Sequence, residues 1–450
     1  MPIISGNTIV NTTVANSTIT VDQTQSWLYA TSNRNPIRPN ILLDFSRSQT
    51  VDPRVVFTRA SSATYYNNLG VLSTVGNNVP RIDYNPSTLA CNGLLIEQAS
   101  TNLLLYSATL TNWSTSNITL SSSGTAPDGA TSILATENST TGIQDTAHSG
   151  TTITASSVYT FSAFVKYAGR QYVIMNFDNS AGNGFGVVFD LINGLATSHG
   201  TNGSGVYTSS VIQPLSNGWY RLIITGNLAA TDTSARTSII SSPSSTYSWY
   251  PSTTGLNASA FYIYGIQLEQ SAFVTSYIPT TSSTATRAND LAYLPVGSWY
   301  NPVASTILVT ALKATGADPG YGGVVSLNDN SSNNRVAFSV APSTTTLSWS
   351  DSYTSNILDV QLNLGSYTVS IPYKAAGSIT GALSTSGNIA ASLNGAPAVT
   401  GVTNNFPGSA LTQLQLGTPG GVGNFMNGWI QLAAYYPIAM SNIQLQTMTS

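Results

Sequence analysis

Charge is scarce in this chain. Only 7% of its 450 residues are Asp, Glu, Lys or Arg, against about 25% in an ordinary soluble domain. There are three lysines (Lys166, Lys313 and Lys374) and two histidines (His148 and His199), so acid–base chemistry has few groups to draw on. The single Cys91 excludes an internal disulfide framework and reads as a small buried hydrophobe. With a net charge of −3 and no basic stripe, no nucleic-acid partner is expected. No apolar run approaches the ~20 residues of a membrane-crossing helix, so no membrane insertion is expected. The opening MPIISGNTIVNTTV has neither a basic n-region nor an apolar h-region, and no Sec signal is expected from it. A surface that has given up charge suits a molecule held in a permanent assembly or working outside a cell.

What is present is Ser, Thr, Asn and Gly, interrupted by short apolar runs. Hydrophobic residues make up 41% and aromatics 9%, enough for sizeable cores and unlike a disordered chain. Alternation with period two dominates, as in Tyr159–Lys166, Tyr172–Phe177, Trp219–Ile224 and Phe261–Tyr264. Turn clusters such as Ala126–Gly129, Asn193-Gly194 and Ser216–Gly218 separate the runs. No amphipathic helix of ten or more residues stands out. The pattern predicts an all-β protein: an N-terminal arm and a small module, then two antiparallel β-sandwiches of jelly-roll type. Residues 1–40 form the arm, 41–105 the module, 106–280 the first sandwich, 281–303 a linker and 304–450 the second sandwich. In the last, strands are expected at Thr306–Thr310, Arg335–Val340, Tyr367–Ile371 and Gly428–Ala433.

The residues suggest two kinds of site. Six of the eleven arginines fall between Arg34 and Arg81. Arg47, Arg54, Arg59 and Arg81 lie among Asp44, Asp52, Asp83 and Glu97. The planar guanidinium meets a carboxylate with two hydrogen bonds, so these eight read as a partly buried ion-pair network. Arg34, Arg38, Arg47, Arg54 and Arg59 also read as a docking surface for an acidic partner. The aromatic clusters Tyr247/Trp249/Tyr250 and Trp349/Tyr353 are glycan candidates, because a sugar's C–H face stacks on a ring. Trp299/Tyr300 is a third. Packing within the core or an interface is the competing reading, and it is the one given to Trp113, Trp219 and Trp429. The Asn-rich run 328–334 has one carboxylate, Asp329. Calcium wants several, so turn chemistry explains the run better. The histidines are expected in separate Ser/Gly-rich loops, and no HExxH, GxSxG or metal-spaced cluster exists. No catalytic, cofactor-binding or metal-binding residue is assigned, and the chain is expected not to be an enzyme.

Several stretches resemble a known family. Leu43-Asp44-Phe45-Ser46-Arg47, Asp52-Pro-Arg54, Pro80-Arg81-Ile-Asp83-Tyr84, Gly93-Leu-Leu-Ile-Glu97 and Thr101-Asn-Leu-Leu104 resemble a module of tailed-bacteriophage head-spike or fibre proteins. Residues 106–280 are similar to a carbohydrate-binding-module jelly roll, through Pro127–Gly129, Gly218-Trp-Tyr-Arg221 and Tyr264-Gly-Ile-Gln-Leu-Glu269. The exit Thr275-Ser-Tyr-Ile-Pro-Thr280 and Ala285-Thr-Arg-Ala-Asn-Asp290 is also typical of that family. The last domain resembles a laminin-G or lectin sandwich, through Leu393-Asn-Gly395 and Tyr436-Pro-Ile438. Tyr264 and Gly265 stand where such jelly rolls often place a calcium-binding Asp, so no metal is carried over. The resemblance implies a virion structural protein made in the host cytoplasm and displayed on the particle surface. It implies a homotrimer joined through its N-terminal region to capsid, portal or tail proteins, with host-surface glycan as ligand. A capsid decoration protein without host binding and a virion-borne glycan-cleaving enzyme are the alternatives.

Overall fold

The computed structural model describes residues 37–179, 181–313, 322–341, 344–353, 357–421 and 423–450. The arm lies almost wholly outside them. The protein is all-β, as expected, with antiparallel sheets stacked as two sandwiches.

The first sandwich has two six-stranded sheets. One runs in the order Val206–Pro214, Trp219–Asn227, Tyr159–Tyr167, Ser259–Glu269, Thr131–Glu137, Ile118–Thr125. The other runs Leu195–Asn202, Gly184–Asp190, Tyr172–Asp178, Ser234–Ser242, Asp145–Thr152, Ser114–Ser116. Alternation sends Phe161, Ala163 and Val165 inward from one sheet and Val173, Met175 and Phe177 inward from the other. Each of these side chains is fully buried or nearly so, and burying a Val, Met or Phe side chain contributes about 1.5–3 kcal/mol.

The second sandwich is not built from residues 304–450 alone. The core strand Gly428–Tyr436 carries two strands of the 41–105 segment along one edge. Ile41–Asp44 pairs with its far end and Cys91–Ile96 with its start. Val56–Thr58 pairs with Leu291–Pro295, which pairs with Gln413–Leu416 in the facing sheet. Residues 281–303 therefore contain strands Ala285–Arg287 and Leu291–Pro295 rather than a bare linker. Gly93 shows why the sequence allows this join. Its φ is +107°, and a Cβ there would lie 2.3 Å from the Ile430 carbonyl oxygen, so only glycine lets the two strands meet.

Some local readings need correction. Tyr367–Ile371 is a turn, and the strand begins at Tyr373. Alternation there is real, but Ser370 sits at φ +61°, which breaks an extended run. Both histidines lie in strands, Asp145–Thr152 and Leu195–Asn202. A short helix, Asn442–Thr449, closes the chain with a Ser441/Gln444 capping box.

Candidate glycan face and the buried arginine network

The outer face of the second sheet of the first sandwich is polar at its centre. Because Val173, Met175 and Phe177 point inward, Ile174, Asn176 and Asp178 point out. The register sets Ile240, Ser238 and Arg236 beside them and Val188 and Gly186 on the other side. The segment 243–251 folds back over this face. Tyr247 lies flat on the sheet, its backbone N–H donating to Ser198 Oγ at 3.1 Å and its hydroxyl to Asn176 Oδ1 at 3.3 Å. It can do so because positions 186 and 200 are glycines. A Cβ on Gly200 would stand 2.2 Å from the Tyr247 ring. Gly200→Ala is expected to lift the segment and cost roughly 1–3 kcal/mol, as overpacking does, read as a lowered denaturant midpoint with an unchanged m-value.

The Tyr250 hydroxyl donates to Asp178 Oδ2 at 2.5 Å and lies 3.1 Å from Ser238 Oγ. Arg236 stacks over the Tyr250 ring at 4.8 Å and pairs with Asp145 at 2.5 Å. Burial pushes the Asp178 carboxyl up to about 6, while the Tyr250 hydroxyl and Arg236 oppose the shift. Asn176 Nδ2 is buried without a hydrogen-bond partner. Trp249 meets Tyr250 edge-on at 5.3 Å and is only half-buried. The result is a buried polar layer of Asn176, Asp178 and Ser238 beneath Tyr247 and Tyr250, with Arg236 and the half-buried Trp249 indole at its margin. Tyr247 and Tyr250 spend much of their area on the small apolar cluster of Ile174, Val188 and Ile240.

The other aromatic candidates lie elsewhere. Trp349 is corrected to a core residue. It is 1% exposed, packs on Phe338 at 4.4 Å, and donates its Nε1–H to the Ser378 carbonyl. It fills the centre of the second sandwich and cannot meet a sugar. Tyr353 ends the strand Thr346–Tyr353, and its side chain falls outside the described residues. Trp299 and Tyr300 pack against Tyr435, with ring centroids 4.8 and 5.9 Å away.

The charged candidates divide by depth. Arg47 pairs with Asp44 at 3.8 Å and Arg54 with Asp52 at 2.7 Å, both near the surface. Arg59 and Arg81 go inside, where both meet Asp290, at 3.1 and 2.5 Å. Arg81 also meets Glu97 at 2.9 Å, and Arg287 lies 3.5 Å from Glu97 and 3.9 Å from Asp290. Asp83 makes no ion pair with an arginine among the described residues. It accepts from the Tyr66 backbone N–H at 2.7 Å and from Trp429 Nε1 at 2.8 Å. Trp429 is accordingly half-buried against Asp83 rather than a core residue. Asp290 and Arg287 were not singled out by the sequence reading, although both stand in the exit stretch 285–290. The Glu97 carboxylate also accepts from the Ser276 N–H and hydroxyl at 2.8 and 2.7 Å, so the stretches around 97, 276 and 290 close on one another. Arg34 lies outside the described residues, and no group of three or more His, Cys, Asp or Glu that could hold a metal occurs among them.

No family model matches the chain, and no curated protein matches it. Among solved structures it is similar to the Ruminococcus gnavus IT-sialidase CBM40, at 13% identity and a TM-score of 0.26, over 33% of this chain and 84% of that one. It is also similar to Trypanosoma rangeli sialidase in complex with sialic acid, at 10% identity and a TM-score of 0.27, over 74% of this chain and 62% of that one. A second complex of the same sialidase matches at 10% identity and a TM-score of 0.27, over 75% of this chain and 63% of that one. The expectation that the chain is not an enzyme is withdrawn, since the matching solved structures include sialidases. Similarity at this level assigns no activity, ligand or family to the chain.

Proposed function

We propose that the chain is a surface-binding protein of a tailed-phage particle, of fibre or spike type, which presents the outer face of its first sandwich to host-surface glycan. The observation that carries the reading is the half-buried Trp249 indole beside Tyr250 and Arg236, held over the buried polar layer of Asn176, Asp178 and Ser238. Such a face offers the Arg236 guanidinium, 29% exposed, to sugar hydroxyls beside a ring on which a sugar stacks. The resemblance of residues 41–105 to a spike module supports the virion setting. So does the low charge, since a protein fixed to a large particle need not keep itself soluble. Residues 1–40 act as the attachment to capsid, portal or tail, and a homotrimer multiplies weak single-site contacts.

Two experiments test this. On a glycan array the purified chain should bind a defined set of host polysaccharides, and Trp249→Ala should weaken that binding about tenfold, or ~1.4 kcal/mol, with an unchanged melting temperature. Binding that survives Trp249→Ala and Asp178→Ala together removes the face from consideration. Deleting residues 1–36 should abolish incorporation into particles while the sandwiches stay folded, and normal occupancy by the truncated chain would refute the anchoring role. Particles stripped of the chain that adsorb normally but break easily would instead favour a decoration protein.

A further inference from the structure

A cavity of about 360 Å³ opens at the seam where the 41–105 segment meets both sandwiches, within the size range of small-ligand sites. It lies on the outer side of the other sheet of the first sandwich, away from the Trp249 face. Ala163 and Leu222 point into that sandwich's core, so their neighbours Phe164 and Arg221, paired across the strands, point out toward the seam. The walls include Tyr65, Tyr84 and Trp429 as rings, and Asn85, Gln213 and Asn427 as side-chain amides.

Two polar groups in the lining lack partners. The Tyr66 hydroxyl and Arg221 Nε are buried and make no hydrogen bond. Arg221 is 4% exposed and makes no ion pair among the described residues. Its other nitrogens donate to neutral acceptors, the Thr275 carbonyl at 2.9 Å and Ser162 Oγ at 3.1 Å, and its guanidinium lies 5.4 Å from the Phe164 ring centre. A buried cation met only by neutral acceptors and a ring is costly unless an anion compensates it. The other arginines of the seam, Arg59, Arg81 and Arg287, each already pair with Asp290 or Glu97. Both Asp83 oxygens already accept hydrogen bonds from the protein. Arg221 has no anion beside it, and the walls, besides rings and amides, carry the Asp83 and Glu97 carboxylates, both already hydrogen-bonded within the protein.

We propose that this cavity binds a single pyranose unit bearing a carboxylate, with the carboxylate toward Arg221 and the ring between the aromatic walls. The Gln213 amide and the Asn85 Nδ2 meet the hydroxyls. The site is separate from the sheet face and does not depend on it.

The test titrates the full chain with D-glucuronate, D-galacturonate and D-glucose, followed by ligand-observed NMR. One of the uronates should bind saturably, with glucose at least tenfold weaker. Arg221→Gln should weaken uronate binding at least tenfold. Because Arg221 is buried, a second variant is made at the rim. Val211 is 53% exposed on the edge strand Val206–Pro214, and Val211→Trp should block the mouth with the same loss while leaving the melting temperature unchanged. Trp249→Ala should leave uronate binding intact. The proposal is overturned if neither uronate saturates, if glucose binds as well as the uronates, or if Val211→Trp binds normally. Loss of uronate binding in Trp249→Ala would move the ligand to the sheet face and also overturn it.

Discussion

Replacing Asp290 by asparagine is expected to destabilise the protein by about 3–5 kcal/mol, the usual cost of breaking a buried ion pair by removing one partner. Asp290 is fully buried, and so, to within 1%, are Arg59, Arg81 and Arg287 around it. Its Oδ2 also accepts the Glu97 backbone N–H at 3.0 Å. The neutral amide keeps the shape and removes the charge, leaving three guanidiniums to share Glu97. The contrast is Arg54→Ala. Its pair with Asp52 is near the surface, with the arginine side chain 54% exposed, and its loss should cost less than about 1 kcal/mol. Urea denaturation of the two variants measures the difference. Equal midpoints would mean that the buried charges contribute nothing. Replacing the whole cluster with apolar residues is a different experiment, and it need not destabilise. What the network supplies is specificity of position, since it ties residues 59, 81 and 97 to 276–290.

The second large effect is on pH dependence. Burial pushes Asp83, Asp178 and Asp351 each up to about 6. In the unfolded chain such carboxyls titrate near 3.9. Between those values the folded protein holds protons that the unfolded chain has released, so stability falls as pH rises from about 4 through 6. The loss is roughly 1–3 kcal/mol for each group, from 1.36 kcal/mol per unit, discounted for the hydrogen bonds they keep. Glu97 behaves oppositely. Burial alone would raise it, but Arg287, Arg81 and Ser276 hold it down at about 2. Its contribution is complete above the unfolded value and is lost as pH falls toward 2. The melting temperature should therefore peak between about pH 4 and 5 and drop toward pH 7. Asp178→Asn should flatten the fall on the neutral side, because the amide oxygen still accepts from Tyr250. A melting temperature that climbs steadily from pH 4 to 7 would disprove the assignment.

Several elements were legible in the chain itself. Tyr159–Lys166 and Arg335–Val340 carry the alternating, β-branched and aromatic residues of a strand, and both are strands, the first one residue longer and each buried on both faces along most of its length. Arg59, Arg81 and Glu97 stood out because charge is otherwise so rare. The partner that unites them did not, because Asp290 lies 231 residues from Arg59 and local pattern carries no record of such a meeting. Trp349 shows the same limit from the other side. Beside Tyr353 and short of other aromatics it reads as a surface ring. In the fold, the absence of a side chain at Gly377, whose Cβ would lie 2.6 Å from the indole, opens the slot that buries it.

The sequence by itself determined the class of the protein. Backbone preference and period-two alternation are local, and a nearly chargeless, turn-rich chain has few other ways to bury its apolar residues than stacked antiparallel sheets. Only the tertiary structure decided that the 41–105 segment lays strands into the second sandwich, that Asp83 is bonded by Trp429 346 residues away, and that Arg221 is left without a carboxylate at a cavity wall. Those outcomes depend on which edges meet in space. An edge strand can hydrogen-bond to any other, so the choice falls to packing and buried charge summed over the whole molecule.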